Sequence, residues 1–224
     1  MRPAIIALIF ISSVLAQSAK IYRLDSLAGL DAVNAKPALA NYRGHRAVHL
    51  IDTVSATPVT AGQTQLAILT ASDFKDGTIE VDVSGAPAPG APGDARGFVG
   101  IAFRVQPDRS RYECFYLRPT NGRADDQLRR NHSVQYVSEP EFPWARLRQE
   151  TPGVYESYTD LEPGVWTHMK IVVTGVHAQL YVNRSPRPCL IVRDIKHGET
   201  HGQIALWAGP GTDGYFSKLV ISPH

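Results

Sequence analysis

The chain has 224 residues, 43% of them hydrophobic, and its 23 basic residues nearly balance 21 acidic ones. A chain of this length can bury a sizeable core. Its composition excludes a disordered polyelectrolyte and a polycationic nucleic-acid-binding protein. The interpretation therefore rests on local features of a globular protein.

The N-terminus carries the pattern of an export signal. Arg2 precedes an apolar run from Ala4 to Ile11, and Val14-Leu15-Ala16 places small residues where a signal peptidase cleaves. Neither this run nor any later one is long enough for a membrane-spanning helix. We expect a signal peptide over residues 1–16, a secreted or periplasmic protein, and neither nucleic acid nor membrane as a partner.

Short apolar or alternating runs dominate the rest of the chain. Eleven of them lie between Ala47 and Ile221, separated mostly by Gly, Pro, Asn or Asp, and no window of about 12 residues has a helical stripe. This pattern predicts an all-β fold, a two-sheet antiparallel β-sandwich. We expect the following side chains to face its core: Ile101, Phe103, Phe115, Leu117, Ile171, Val173, Leu180, Val182, Leu206 and Phe216.

Two segments interrupt the strands. Residues 85–93 form a Pro/Gly-rich loop, but strands of the same character continue on both sides, so we predict one domain over residues 17–224. Residues 119–164 are polar and aromatic, and connections of this length are often functional. Cys114 and Cys189 lie in strand-like runs, which leaves both a disulfide and two buried thiols open.

The C-terminal strands carry a family resemblance. The runs Gly164-Val165-Trp166-Thr167-His168, Gly202-Gln203-Ile204-Ala205-Leu206-Trp207 and Phe216-Ser217-Lys218-Leu219 resemble concanavalin A-like lectin/glucanase jelly rolls. Tyr116-Leu117-Arg118-Pro119 resembles secreted 3-keto-disaccharide hydrolase (DUF1080-like) proteins. The resemblance implies a jelly roll that handles carbohydrate, and one such fold hosts lectins, hydrolases and adhesion modules.

The glucanase mechanism of that fold is not expected here. The resemblance implies an E-x-D-x-x-E strand for retaining enzymes, in which two carboxyl groups lie about 5 Å apart. The nearest run, Glu80 to Gly85, ends in glycine where the second glutamate would stand. We therefore interpret Glu80 and Asp82 as a solvated strand face.

An arginine-rich segment is the main positive signal. Residues 104–148 hold nine of the 17 arginines and none of the six lysines. Arginine's planar fork makes bidentate bonds and stacks on rings, so this bias favours either a polar binding site or a salt-bridged surface loop.

Strand alternation predicts a cleft within this segment. If Phe115 and Leu117 point inward, Tyr116 and Arg118 emerge together on the opposite face. Trp144 would supply an apolar platform for a sugar ring, whereas Trp166 and Trp207 are read as packing residues. The predicted substrate-binding residues are Arg104, Tyr116, Arg118, Asp125, Asp126, Gln135 and Trp144.

Three functions follow from this cleft. The first is carbohydrate binding without chemistry, and the second is a 3-keto-glycoside-cleaving enzyme. In the enzyme, Glu113 or His132 would act as the base and Arg118 or Arg104 would stabilise developing charge. The third is an adhesion module. No cofactor is expected, although Asp125 and Asp126 leave a calcium site open.

Overall fold

The computed structural model describes residues 18–52 and 64–224. The predicted signal peptide lies outside these residues. Within them, neither helix has the length and apolar character needed to cross a membrane.

The described residues form fifteen strands, two short α-helices and one 3-10 turn. The N-terminal half contains β1 (Lys20–Tyr22), β2 (Leu30–Val33), β3 (Ala35–Tyr42), β4 (His45–Asp52), β5 (Gln65–Phe74), β6 (Gly77–Pro87), β7 (Val99–Val105) and β8 (Tyr112–Leu117). The 3-10 turn (Pro119–Asn121) is followed by α1 (Gln127–Asn131), β9 (Val134–Glu139), α2 (Trp144–Glu150) and β10 (Glu156–Ser157). The remaining strands are β11 (Thr167–Thr174), β12 (His177–Val182), β13 (Leu190–Val192), β14 (Gly202–Ala208) and β15 (Thr212–Pro223).

These strands build two antiparallel sheets. The larger sheet has the order β13-β12-β11-β6-β15-β4-β3, with β1 added to β15, and the smaller has the order β10-β9-β8-β7-β14-β5-β2. Strands β6 and β7, on either side of the Pro/Gly-rich loop, belong to different sheets. The prediction of a two-sheet antiparallel β-sandwich is confirmed.

The core lies between the inner faces of the two sheets. All ten side chains predicted to face it are buried, from Ile101 to Phe216. Strands β1 to β3 were not predicted. Strand β3 is rich in alanine and contains Pro37, which a strand at the edge of a sheet tolerates because its outer N–H groups need no partner.

Two β-bulges change which way side chains point. In β7 the register against β14 shifts beside Arg104, whose φ is 53°. In β15 the register against β6 shifts between Ser217 and Val220, and Lys218 has a φ of 52°. A bulge inserts one residue and so breaks the alternation of faces. Arg104 consequently points inward, whereas Lys218 reaches the outer face.

The segment over residues 119–164 is ordered around β9. Helix α2 packs on β9 and buries Leu147. Asp126 caps α1 by accepting a hydrogen bond from the backbone N–H of Arg129 at 2.9 Å. Cys114 is buried and Cys189 is half-buried, and both thiols are free.

Candidate functional site

Part of the predicted cleft assembles on the outer face of the smaller sheet. Arg118 donates hydrogen bonds to the Tyr116 hydroxyl at 2.9 Å and to the carbonyl of His132 at 3.1 Å. Glu156, which the sequence reasoning missed, lies at the centre. Its carboxylate accepts 2.6–3.1 Å bonds from Arg148 and lies 3.2 Å from His132 Nε2 and 3.9 Å from Arg118. We call these side chains the Arg118 cluster: Tyr116, Arg118, His132, Trp144, Arg148 and Glu156.

The Arg118 cluster is closed by its own side chains. Arg118 is 5% exposed and Glu156 is 6% exposed, while Trp144 covers the guanidinium groups of Arg118 and Arg148 at 5.8 and 4.8 Å. Burial lowers the pKa of His132, and the Glu156 carboxylate opposes that shift. Because the charged groups satisfy one another, this face is a packed ionic cluster rather than an open cleft.

Gln135 lies beside the cluster. It faces Tyr116 across β8 and β9, and its side-chain amide donates to the carbonyls of Tyr136 and Tyr155 at 2.9 and 3.0 Å. Its donor atoms are therefore occupied by backbone.

Arg104 does not join the predicted cleft. It is 1% exposed, and its guanidinium donates to the carbonyls of Lys75, Gly175 and Gly198 at 2.8–3.0 Å and to Asp76 at 3.2 Å. These contacts hold three loops together at one end of the sandwich. The prediction from alternation was wrong because the bulge in β7 turns this side chain inward.

The candidate base Glu113 is also separated from the cluster. It is fully buried on the inner side of β8, where it accepts a 2.5 Å hydrogen bond from the Tyr136 hydroxyl and lies 3.3 Å from His197 Nδ1. Side chains at positions 113 and 116 point to opposite faces of one strand, so Glu113 cannot share a site with Tyr116.

The remaining predicted residues lie on the surface. Asp125 is exposed, and one carboxylate oxygen of Asp126 accepts the capping hydrogen bond of α1. Across residues 18–52 and 64–224, no group of three or more His, Cys, Asp or Glu side chains is arranged to hold a metal ion.

A groove with different lining lies on the outer face of the larger sheet. Its volume is about 240 Å³, and it is lined by Asp82 on β6, Trp166 just before β11, His168 on β11, and Asn183 and Arg184 after β12. We call it the Trp166 groove. It brings one indole ring together with four side chains capable of hydrogen bonding.

Trp166 is fixed by an aromatic layer. Its indole N–H donates to the carbonyl of Tyr42 at 3.2 Å, and the ring of His45 stacks on it at 4.9 Å. The Tyr42 hydroxyl donates in turn to the carbonyl of Gly164 at 2.9 Å, where a φ of 72° suits glycine. Tyr215 stacks on Tyr42 at 3.9 Å, which continues the layer across the sheet. Trp166 remains half-buried, so part of its ring is open to solvent.

The floor of the groove is a hydrogen-bonded polar row. His168 lies between two carboxylates, with Nδ1 2.9 Å from Asp82 and Nε2 3.2 Å from Glu80. Lys218, brought outward by the bulge in β15, lies 3.5 Å from the other oxygen of Asp82. These contacts orient both ring nitrogens of His168. Glu80 and Asp82 are therefore organised by His168 and Lys218, unlike the freely solvated face that the sequence suggested.

A strained turn supplies the opposite wall. Asn183 and Arg184 have φ values of 52° and 58°, and the N–H of Ser185 closes the turn on the carbonyl of Val182 at 3.1 Å. The N–H of Asn183 donates to the carbonyl of His168 at 2.8 Å, which ties the turn to the floor. Asparagine adopts left-handed backbone readily, but at Arg184 this conformation costs about 1 kcal/mol or more, and such positions concentrate at functional sites.

The sequence held only a weak signal for this groove. Trp166 directly precedes a strand that alternates between core and surface, and this sequence pattern by itself predicts a packing residue. His168 pairs with Asp82 across β11 and β6, and both side chains point outward. Trp166, two positions before His168, points the same way and is therefore half-exposed. Trp207, by contrast, is buried as expected and stacks on Tyr116 at 4.7 Å.

Comparison with known proteins gives structural likeness alone. No protein-family model matches the chain, and no curated protein matches it by sequence. Carbohydrate-binding module CBM66 from Bacillus subtilis superposes with a TM-score of 0.56 at 15% identity, covering 87% of this chain and 96% of that chain. A Bacillus subtilis protein of unknown function with a galectin-like fold superposes with a TM-score of 0.60 at 12% identity, covering 92% of this chain and 97% of that chain. The Crh5 transglycosylase superposes with a TM-score of 0.54 at 12% identity, covering 93% of this chain and 85% of that chain. At these identities the likeness establishes a shared jelly-roll fold.

Proposed function

We propose that this protein is an exported carbohydrate-binding protein and that the Trp166 groove is its binding site. The observation that carries the proposal is one partly open indole ring facing ordered polar side chains across a groove of about 240 Å³. Sugar rings present C–H faces that pack on aromatic rings and hydroxyl groups that need fixed donors and acceptors. The Trp166 groove offers both.

The chemistry of each wall suits a sugar ring that carries hydroxyl groups. Trp166 supplies the apolar contact. Asp82 accepts hydrogen bonds from hydroxyl groups, Arg184 donates them, and the Asn183 side-chain amide can both donate and accept. Because His168 and Lys218 hold Asp82 in place, little side-chain entropy is lost when a ligand binds.

The structural neighbours support the same class of ligand. CBM66 is named as a carbohydrate-binding module, and the Crh5 transglycosylase has been solved in complex with NAG, with a TM-score of 0.51 to this chain. Fold alone does not fix function, so the proposal depends on the groove itself.

Binding without bond cleavage is favoured over the enzyme hypothesis. Along β6 the outward positions Glu80 and Asp82 are followed by Ser84 and Gly85, so neither residue continues the row with a further carboxylate. Both carboxylates of this row are bonded to one imidazole. The base candidates Glu113 and His132 lie outside the groove, in two different environments.

The experiment replaces the two competing tryptophans. Trp166→Ala and Trp144→Ala variants are compared with the parent protein by calorimetry and on an array of oligosaccharides. We expect Trp166→Ala to weaken binding at least thirtyfold, equivalent to about 2 kcal/mol, as for a buried aromatic anchor. Trp144→Ala is the matched control and should bind as the parent does, since Trp144 covers the Arg118 cluster.

Folding is checked separately because Trp166 also holds Tyr42 and His45. Trp166→Phe keeps an aromatic platform and should retain most of the affinity. If Trp144→Ala loses binding while Trp166→Ala keeps it, the site lies at the Arg118 cluster and the proposal is wrong. Failure of the parent to bind any oligosaccharide would reject carbohydrate binding itself.

A further inference from the structure

Two arginines lie near Trp166, and one of them belongs to the lining of the Trp166 groove. Arg184 lines the groove, and Arg43 lies over the ring of Tyr42 at 5.7 Å, beside Trp166. Among the side chains that the structure describes, at residues 18–51 and 64–224, no carboxylate forms an ion pair with either guanidinium. The carboxylates of the groove floor are already engaged, Asp82 by His168 and Lys218 and Glu80 by His168.

Both arginines occupy unusual backbone positions. Arg43, with a φ of 43°, precedes Gly44 in the tight turn between β3 and β4, and Arg184 has a φ of 58° in the turn after β12. Left-handed backbone is energetically unfavourable for arginine, and glycine or asparagine usually occupies such positions. In the strand order of the larger sheet, the turn of Arg184 follows β12 on one side of β11, and the turn of Arg43 joins β3 and β4 on the other side.

We propose that the groove selects acidic sugars, with Arg184 forming a bidentate ion pair to a carboxylate on the sugar ring. This inference rests on the proposed function and specifies its ligand class. A guanidinium matches the geometry of a carboxylate and gains charge-assisted hydrogen bonds that a hydroxymethyl group does not provide. Arg43, which lies over the ring of Tyr42 outside the groove lining, contributes longer-range attraction to the same negative charge.

The test uses ligands that differ only in the carboxylate. Polygalacturonate oligomers, hyaluronan oligomers and sialyllactose are each paired with their carboxyl-reduced forms, and dissociation constants are measured by calorimetry. We expect the parent protein to bind at least one acidic form about tenfold to hundredfold more tightly than its reduced partner. Arg184→Gln should remove this preference, so that the variant binds the acidic and the reduced form with dissociation constants within about twofold of each other.

A neighbouring arginine provides the matched control. Arg187 is exposed in the same segment but does not line the groove, so Arg187→Gln should keep the full preference. Arg184→Lys retains the charge without the planar fork, and we expect it to recover only part of the preference. Added salt should weaken binding of the acidic form more than binding of the reduced form.

The outcomes separate the two proposals. If the parent binds the reduced forms as tightly as the acidic ones through Trp166, the groove binds sugars but does not select acidic ones. If Arg184→Gln and Arg187→Gln lose the preference equally, the selection comes from general surface charge and the role of Arg184 is refuted. If no ligand binds in a Trp166-dependent way, both proposals fail.

Discussion

Replacing Glu156 by glutamine should destabilise the fold more than any exposed carboxylate replacement. Glu156 is 6% exposed, and its carboxylate is the shared partner of Arg118, Arg148 and His132. Glutamine preserves the shape but removes the negative charge. Arg118, itself 5% exposed, would then remain buried without a counter-charge.

The magnitude follows from the burial of each partner. Breaking a buried ion pair from one side costs about 3–5 kcal/mol because the other charge stays desolvated. Arg148 is partly exposed, with 32% of its side chain accessible, so water compensates part of its loss. We therefore expect a loss of about 3 kcal/mol in the free energy of unfolding. For a chain of this size, that lowers Tm by about 6–12 °C.

The assay is urea and thermal unfolding of Glu156→Gln beside Glu150→Gln. Glu150 pairs with Arg146 one helical turn away on exposed α2, so its replacement should cost about 0.5 kcal/mol or less. The NMR titration of His132 gives a second measurement. Since Glu156 raises the pKa of His132 against burial, that pKa should fall further in Glu156→Gln. Equal stability of the two variants, or an unchanged His132 titration, would refute this account of the cluster.

Two further predictions concern the interior. Hydrogen bonds to Glu113 and Glu141 raise the pKa of His197, so its stabilising contribution is complete below about pH 6.5 and is lost as the pH rises through the raised value. His197→Gln should therefore lose more stability at about pH 5.5 than at pH 9, as measured by urea unfolding, and an equal loss at both would contradict this. Gly100→Ala would bring a Cβ within 2.1 Å of the carbonyl oxygen of Phe115. We therefore expect the free energy of unfolding to fall by about 1–3 kcal/mol. Gly93→Ala, where a Cβ meets nothing within 4 Å, should change stability by about 0.5 kcal/mol or less and serves as the control.

Alternation along individual strands was readable from the sequence. Residues such as Ile101 and Phe103 repeat every second position between turn residues, and this local pattern alone determines which side of a strand is apolar. The sandwich fold and its predicted core residues follow from it. The grouping of Tyr116 with Arg118 was also correct, because both side chains lie close together on one strand and its continuation.

The binding face was decided by tertiary structure. The bulge at Arg104 reverses the direction that alternation predicts, and the bulge at Lys218 brings a cation to Asp82. Likewise, Glu156 enters the Arg118 cluster only because β10 pairs with β9. Trp166 reaches Arg184 because β11 pairs with β12. Strand order and register depend on contacts between residues far apart in the chain, and for this reason a local pattern cannot specify which outward faces meet to form a site.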